Sequence, residues 1–115
     1  MARLLLVDDE SQLLDLLIRY LERLGHQVHA CSDAMAAIEQ FERDPLAYEL
    51  VLTDLTLPDL PGDEMLERMR ATNPALRAIL TSGYPYVPRA AYVSFLQKPF
   101  VPRMLADAIQ SSLAK

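Results

Sequence analysis

The sequence predicts an α/β domain: a doubly wound, five-stranded parallel sheet of order 2-1-3-4-5 with a shortened or missing fourth helix. Three observations predict it. Short apolar runs alternate with segments of helical periodicity five times along the chain, the pattern of strand–helix–strand crossovers. The first, third and fourth runs are almost uniformly apolar, as strands covered on both faces require. The second run alternates instead, which suits a sheet edge and puts strand 2 outside strand 1.

The first strand is Leu4–Val7, cut off by Asp8 and Asp9. Leu13, Leu17, Leu21 and Leu24 then recur at helical spacing, and Gly25 closes that helix as a C-cap. Gln27–Cys31 is the alternating strand, with Val28 and Ala30 on one side and His29 on the other. Ala34, Ala37, Ile38 and Phe41 mark the second helical face, and Pro45 lies beyond it. Leu50–Thr53 is the third strand and ends at Asp54. Met65, Leu66 and Met69 form the third stripe, stopped before Pro74. Ala78–Thr81 and Val93–Leu96 are strands four and five. Pro102 suits the first turn of a closing helix that carries Leu105, Ala108, Ile109 and Leu113. If strand four ends at Ser82, only ten residues, Gly83 to Tyr92, join it to strand five. A parallel crossover uses about a dozen or more, and Pro85 and Pro88 restrict any helix further. The fourth helix is therefore expected to be one turn or none.

The 115 residues carry no repeat, low-complexity tract or linker, so one domain is expected over residues 1–115. Eleven Lys/Arg against sixteen Asp/Glu give a net charge of −5, which denies the chain a broad basic face for nucleic acid. The apolar run at the start is too short for a signal peptide or a membrane span. One cysteine forms no intrachain disulfide, so a reducing, cytoplasmic setting is expected, with no membrane partner. Met1 directly before strand one is what a native or engineered N-terminus would look like.

Ligands of open α/β sheets bind at the carboxyl ends of the strands. Those ends carry Asp8 and Asp9, Asp54, Ser82 and Lys98. Strands one and three are neighbours in the expected order, so their acids converge and repel. A hard cation such as Mg²⁺ relieves that repulsion and keeps positions open for a phosphate oxygen. Lys98 adds a positive charge and Ser82 a hydroxyl donor, so the ensemble suits a phosphoryl group with one carboxylate as acceptor. Each residue also has a plain structural reading. Asp9 or Ser11 could cap the first helix; Asp54, Ser82-Gly83 and Lys98-Pro99 could each sit in an ordinary turn. Their joint placement at neighbouring strand ends favours the site. His26 and His29 read as exposed edge residues, Cys31 as a small core residue, and Met65, Met69 and Met104 as packing. Tyr84, Tyr86 and Tyr92 are expected to cover the sheet where a full fourth helix would lie.

Four segments carry a family resemblance: Leu-Leu-Val-Asp-Asp-Glu at 5–10, Asp-Leu-Thr-Leu-Pro-Asp-Leu-Pro-Gly at 54–62, Leu-Thr-Ser-Gly-Tyr at 80–84 and Phe-Leu-Gln-Lys-Pro-Phe at 95–100. Together, in order, they resemble the response regulator receiver domain of bacterial two-component systems, which is flavodoxin-like in fold. The resemblance implies that Asp54 is the phosphoacceptor, taking its phosphoryl group from a histidine kinase or a histidine phosphotransfer protein. It implies Mg²⁺ held by Asp8, Asp9, Asp54 and the backbone carbonyl of Thr56, with Asp9 the closer of the two leading acids. By the same resemblance Lys98 is expected to pair with the phosphoryl oxygens and Lys98-Pro99 to be cis. The resemblance further implies that Ser82 and Phe95 are the switch pair, Ser82 swinging toward the phosphoryl group while Phe95 moves inward. Thr56 and Tyr84 border the site and tune the acyl phosphate's lifetime, Tyr84 by shielding it from water. Such a module is not a turnover enzyme; it promotes its own phosphorylation and dephosphorylation.

The short fourth crossover departs from the family, whose members signal through the surface around that helix. A second reading is thus a docking module that uses the fold without phosphorylation. Intact Asp8, Asp9, Asp54 and Lys98 favour the first reading, since docking has no chemical need of them. A phosphatase-like hydrolase wants an acid just after the nucleophile to activate water, and Leu55-Thr56 supplies none. The stretch at 95–100 also resembles receivers attached to hybrid sensor kinases.

Overall fold

A computed structural model describes residues 2–114, so Met1 and Lys115, the two ends of the expected 1–115 domain, lie outside the described residues. In chain order the elements are β1 (Arg3–Val7), α1 (Ser11–Arg23), β2 (Gln27–Cys31), α2 (Ala34–Arg43), β3 (Leu50–Asp54), α3 (Gly62–Thr72), β4 (Ala78–Ser82), β5 (Val93–Gln97) and α4 (Pro102–Leu113). The strands form one parallel sheet in the order β2-β1-β3-β4-β5, as the run pattern predicts.

Side chains alternate along each strand, so every central strand feeds two cores. Leu5, Val7, Val51, Ala78 and Leu80 face α2 and α3, meeting Ile38, Phe41, Met65, Leu66 and Met69. Leu4, Leu6, Leu50, Leu52 and Ile79 face α1 and α4, meeting Leu14, Leu17, Leu21, Leu105 and Ile109. The uniform apolar runs are explained by this double burial.

Helix ends follow the sequence closely. Gly25 has φ 97°, donates to the Glu22 carbonyl at 3.0 Å, and is followed by His26 donating to Leu21 at 3.1 Å. That paired return is a Schellman stop, and the left-handed residue in it favours glycine. Leu24 sits just past the helix and is exposed, so the buried stripe of α1 ends at Leu21 and consists of Leu14, Leu17 and Leu21. Met104 is likewise exposed rather than packed, because Leu105 and Ile109 set the inward face of α4 and Met104 is about 100° away from it.

Among the described residues there is no helix between β4 and β5. The connection instead folds back on α3 as a strap. The Tyr86 hydroxyl donates to Asp63 at 3.3 Å, and the Arg70 guanidinium lies 4.0 Å from the Tyr92 ring centre. Tyr86 and Tyr92 pack on the α2–α3 core as expected, but Tyr84 does not: it is 77% exposed. With only a strap over it, β5 stays half-buried along most of its length, whereas β3 and β4 are wholly buried.

Gly62 opens α3 directly beneath the end of β3, and its N–H donates to the Leu55 carbonyl at 2.7 Å. A Cβ at this position would collide with the Asp54 carbonyl oxygen and stand 3.1 and 3.2 Å from the Asp54 carbonyl carbon and Leu55 Cα. All three are backbone atoms and cannot rotate away. Gly62→Ala is therefore expected to lose about 1–3 kcal/mol of stability, read as a lower urea midpoint at unchanged slope.

Candidate functional site

The sheet ladder runs one step past the strands and carries the chain into a cleft at their carboxyl ends. Asp8 N–H donates to Cys31 at 3.2 Å, Leu55 to Thr81 at 2.7 Å, and Lys98 to Ser82 at 2.8 Å. The cleft is about 750 Å³, with Asp54, Thr56, Tyr84 and Lys98 on its walls.

Lys98 holds the site together. Its Nζ donates to Asp8 Oδ2 at 2.8 Å and to Glu10 Oε1 at 3.0 Å, and stands 3.5 Å from Asp54 Oδ2. The Lys98–Pro99 peptide that precedes α4 is cis. Burial alone would lower the lysine's pKa, but its hydrogen bonds to Asp8 and Glu10 and the charges of Asp8 and Asp54 carry it above the ordinary lysine range. The ammonium is therefore fixed at neutral pH. The Asp54 pKa is raised as well, which for a carboxylate favours the neutral form. Burial raises its pKa most, with the Asp8 charge adding to the rise; Lys98 and the Thr56 N–H oppose it.

Asp8, Glu10 and Asp54 each offer an oxygen within 4.8 Å of the others, a group that could hold a metal ion. Three carboxylates and one ammonium leave excess negative charge, and oxygen-only donors suit a hard divalent cation. Asp8 and Asp54 are buried and brought together as expected. Asp9 lines the cleft but stands outside that carboxylate group, while Glu10, not among the expected ligands, stands within it. Glu10 precedes the first residue of α1, and its N–H donates to Asp8 Oδ1 at 2.9 Å, which turns the chain so that its side chain reaches Lys98. The signal was its place at the end of the 5–10 motif, beside a helix start.

Thr56 is exposed on the cleft wall. Ser82 is buried at the end of β4, and its Oγ accepts the Tyr84 N–H at 3.0 Å. Phe95 is half-buried on β5 opposite Leu80, its ring 6.0 Å from that of Tyr86. The remaining candidates stay away from the site. His26 Nδ1 accepts the Ala2 N–H at 3.3 Å beside the opposite end of the sheet, and His29 is exposed on edge strand β2. Cys31 packs on the α2–α3 core, and burial, with help from Asp33, pushes its thiol up, so it is a poor nucleophile.

The fold is a doubly wound parallel sheet with acids and a lysine gathered at its carboxyl edge, the place where open α/β sheets take ligands. Residues 4–110 match the response regulator receiver domain family, and the chain belongs to that family. It is 31% identical over 121 residues to the response regulator receiver protein CpdR of Brucella abortus, covering 98% of both chains. It is also 31% identical to the sensor kinase CckA of the same organism, covering 99% of this chain but only 13% of the kinase. Among solved structures, the receiver domain of hybrid histidine kinase CckA superposes with a TM-score of 0.88 at 26% identity, covering 96% of this chain and 98% of that one. A CheY-like receiver domain from Methanospirillum hungatei gives the same TM-score at 28% identity, covering 99% of this chain and 94% of that one.

The raised pKa of Asp54 fixes the sign of a stability effect. The folded state holds that proton more tightly than the unfolded chain, so the penalty for ionising it is complete above the folded pKa. It vanishes below the ordinary aspartate value of about 3.9. Asp54→Asn is thus expected to unfold at a higher temperature than the parent at pH 7 in EDTA, the gain shrinking to nothing as pH falls through the carboxylate range.

Proposed function

We propose that this chain is the phosphoacceptor module of a two-component or phosphorelay system. It takes a phosphoryl group from the phosphohistidine of a kinase or a histidine phosphotransfer protein onto Asp54, in the cytoplasm and with Mg²⁺ as cofactor. The observation that carries this reading is the meeting of Asp8, Glu10 and Asp54 around the Lys98 ammonium in an open cleft. A sensor kinase and a hybrid histidine kinase among its relatives contain similar receiver sequences, which supports a kinase-type donor.

In the proposed reaction an Asp54 carboxylate oxygen bonds to phosphorus while the phosphorus–nitrogen bond breaks. The imidazole keeps the bonding pair and takes a proton from solvent. Phosphoryl transfer passes through a loose, highly charged transition state, so positioning and charge neutralisation dominate. Lys98 is already ionised and placed to take up that charge, and the Thr56 N–H helps hold Asp54 in its carboxylate form. Bound Mg²⁺, with Asp8, Asp54, the Thr56 carbonyl and Asp9 or Glu10 as its protein ligands, would supply further neutralisation of the oxygens. The acyl phosphate forms on the module itself and is later hydrolysed there, so the module is a switch rather than an enzyme acting on a separate substrate. Ser82, whose Oγ accepts the Tyr84 N–H, would swing to donate its O–H to a phosphoryl oxygen, and Phe95, already packed against Tyr86 of the strap, would move inward with it.

One observation favours the alternative, a docking module that works without phosphorylation: the strap replaces the fourth helix and exposes Tyr84 and Val87. Intact-protein mass after incubation with a small phosphodonor and Mg²⁺ decides between them. One added phosphoryl group, absent from Asp54→Asn and from an EDTA control, is expected. A folded, Mg²⁺-binding protein that takes up nothing from any donor would support docking. Tyr84 is on the cleft wall, and Tyr84→Ala is expected to shorten the acyl phosphate's lifetime; an unchanged decay rate would remove the shielding role.

A further inference from the structure

The loop that leaves Asp54, residues 55–61, is anchored at its base and at its tip. At the base, Leu55 N–H donates to Thr81 and the Leu55 carbonyl accepts Gly62 N–H, both at 2.7 Å. At the tip, Asp59 reaches across to the start of α2, where Oδ1 accepts Ala34 N–H and Oδ2 accepts Met35 N–H, each at 2.9 Å. Those amides hold the exposed Asp59 carboxylate below the ordinary aspartate range, so it is ionised at neutral pH.

Helix α2 does not depend on Asp59 for a cap. Its own N-cap, Asp33, accepts Ala36 N–H at 2.7 Å. Asp59 adds two further acceptors from 24 and 25 residues away, and so works as a cross-link between α2 and the acceptor loop. The link closes a circuit around the cleft. Asp8 N–H is bonded to Cys31, two residues before Asp33; Asp59 ties α2 to the loop; Thr56 N–H meets the Asp54 carboxylate; and Lys98 joins Asp54 back to Asp8.

We infer that Asp59 is a positioning residue for the acidic site, holding the loop that carries the Thr56 carbonyl and follows directly on Asp54 in place for a divalent cation. This rests on the reading of the site as a Mg²⁺-dependent phosphoacceptor. A carboxylate that is itself no ligand but fixes the groups that are ligands acts on affinity through preorganisation.

The test compares Asp59→Asn and Asp59→Ala with Asp33→Ala, which weakens the same helix end without touching the loop. In the metal-free protein, amide hydrogen exchange at Gly62 should quicken in both Asp59 variants and stay at the parent rate in Asp33→Ala. By titration calorimetry, Mg²⁺ alone should bind about tenfold more weakly to both Asp59 variants and as tightly as the parent to Asp33→Ala. Parent-like exchange and Mg²⁺ affinity in the Asp59 variants would overturn the inference. Equal weakening by Asp33→Ala would also overturn it, showing that α2 stability alone is at work. A parent protein that binds no Mg²⁺ would overturn the functional reading and this role with it, a result distinct from a parent that binds and Asp59 variants that bind equally.

Discussion

Like charges brought together at the end of a sheet must be neutralised or dispersed, and in this chain the Lys98 ammonium does that work. Asp8 and Asp54 are buried on adjacent strands because β1 and β3 pair in register, an arrangement forced by the apolar runs that precede them. A carboxylate buried beside another without a cation would protonate or push the strands apart. Lys98 meets them from the end of β5, three strands along from β1 and two from β3, because the ladder continues past the last residue of β5. The site therefore depends on the whole width of the sheet between its contributors.

The rest of the molecule serves that convergence. Two apolar layers, one under α2 and α3 and one under α1 and α4, fix the central strands from both sides and leave only their ends free for polar chemistry. Gly62 lets α3 begin against the Asp54 backbone, and the Asp59 carboxylate ties the intervening loop to α2. Local chain geometry thus fixes the backbone on either side of the Asp54 carboxylate.

What was legible in the sequence follows from range. The strands were legible because burial on both faces leaves a continuous apolar run, and Asp8, Asp54, Ser82 and Lys98 because they end such runs. The absent fourth helix was legible from length and two prolines. Glu10 was not, because its place beside Lys98 depends on the turn that Asp8 makes with its amide. Asp59 was not, because its partners lie on another element and are backbone amides without any side-chain signature. Tyr84 could not be told from Tyr86 and Tyr92, since an irregular strap has no period from which to read direction. Met104 and Leu24 failed for a smaller reason: each is apolar and adjacent to a buried stripe or just past its end.

The strap that replaces a helix has one more consequence. Stability within a fold is graded, and segments with the least buried surface open first. β5 is half-covered at the sheet's outer edge, while β1, β3 and β4 are sealed on both faces. Sub-global opening at this edge would carry Lys98 away and leave the two buried acids behind without their counter-charge. Loss of this one edge strand would therefore also be loss of the charge balance at the site.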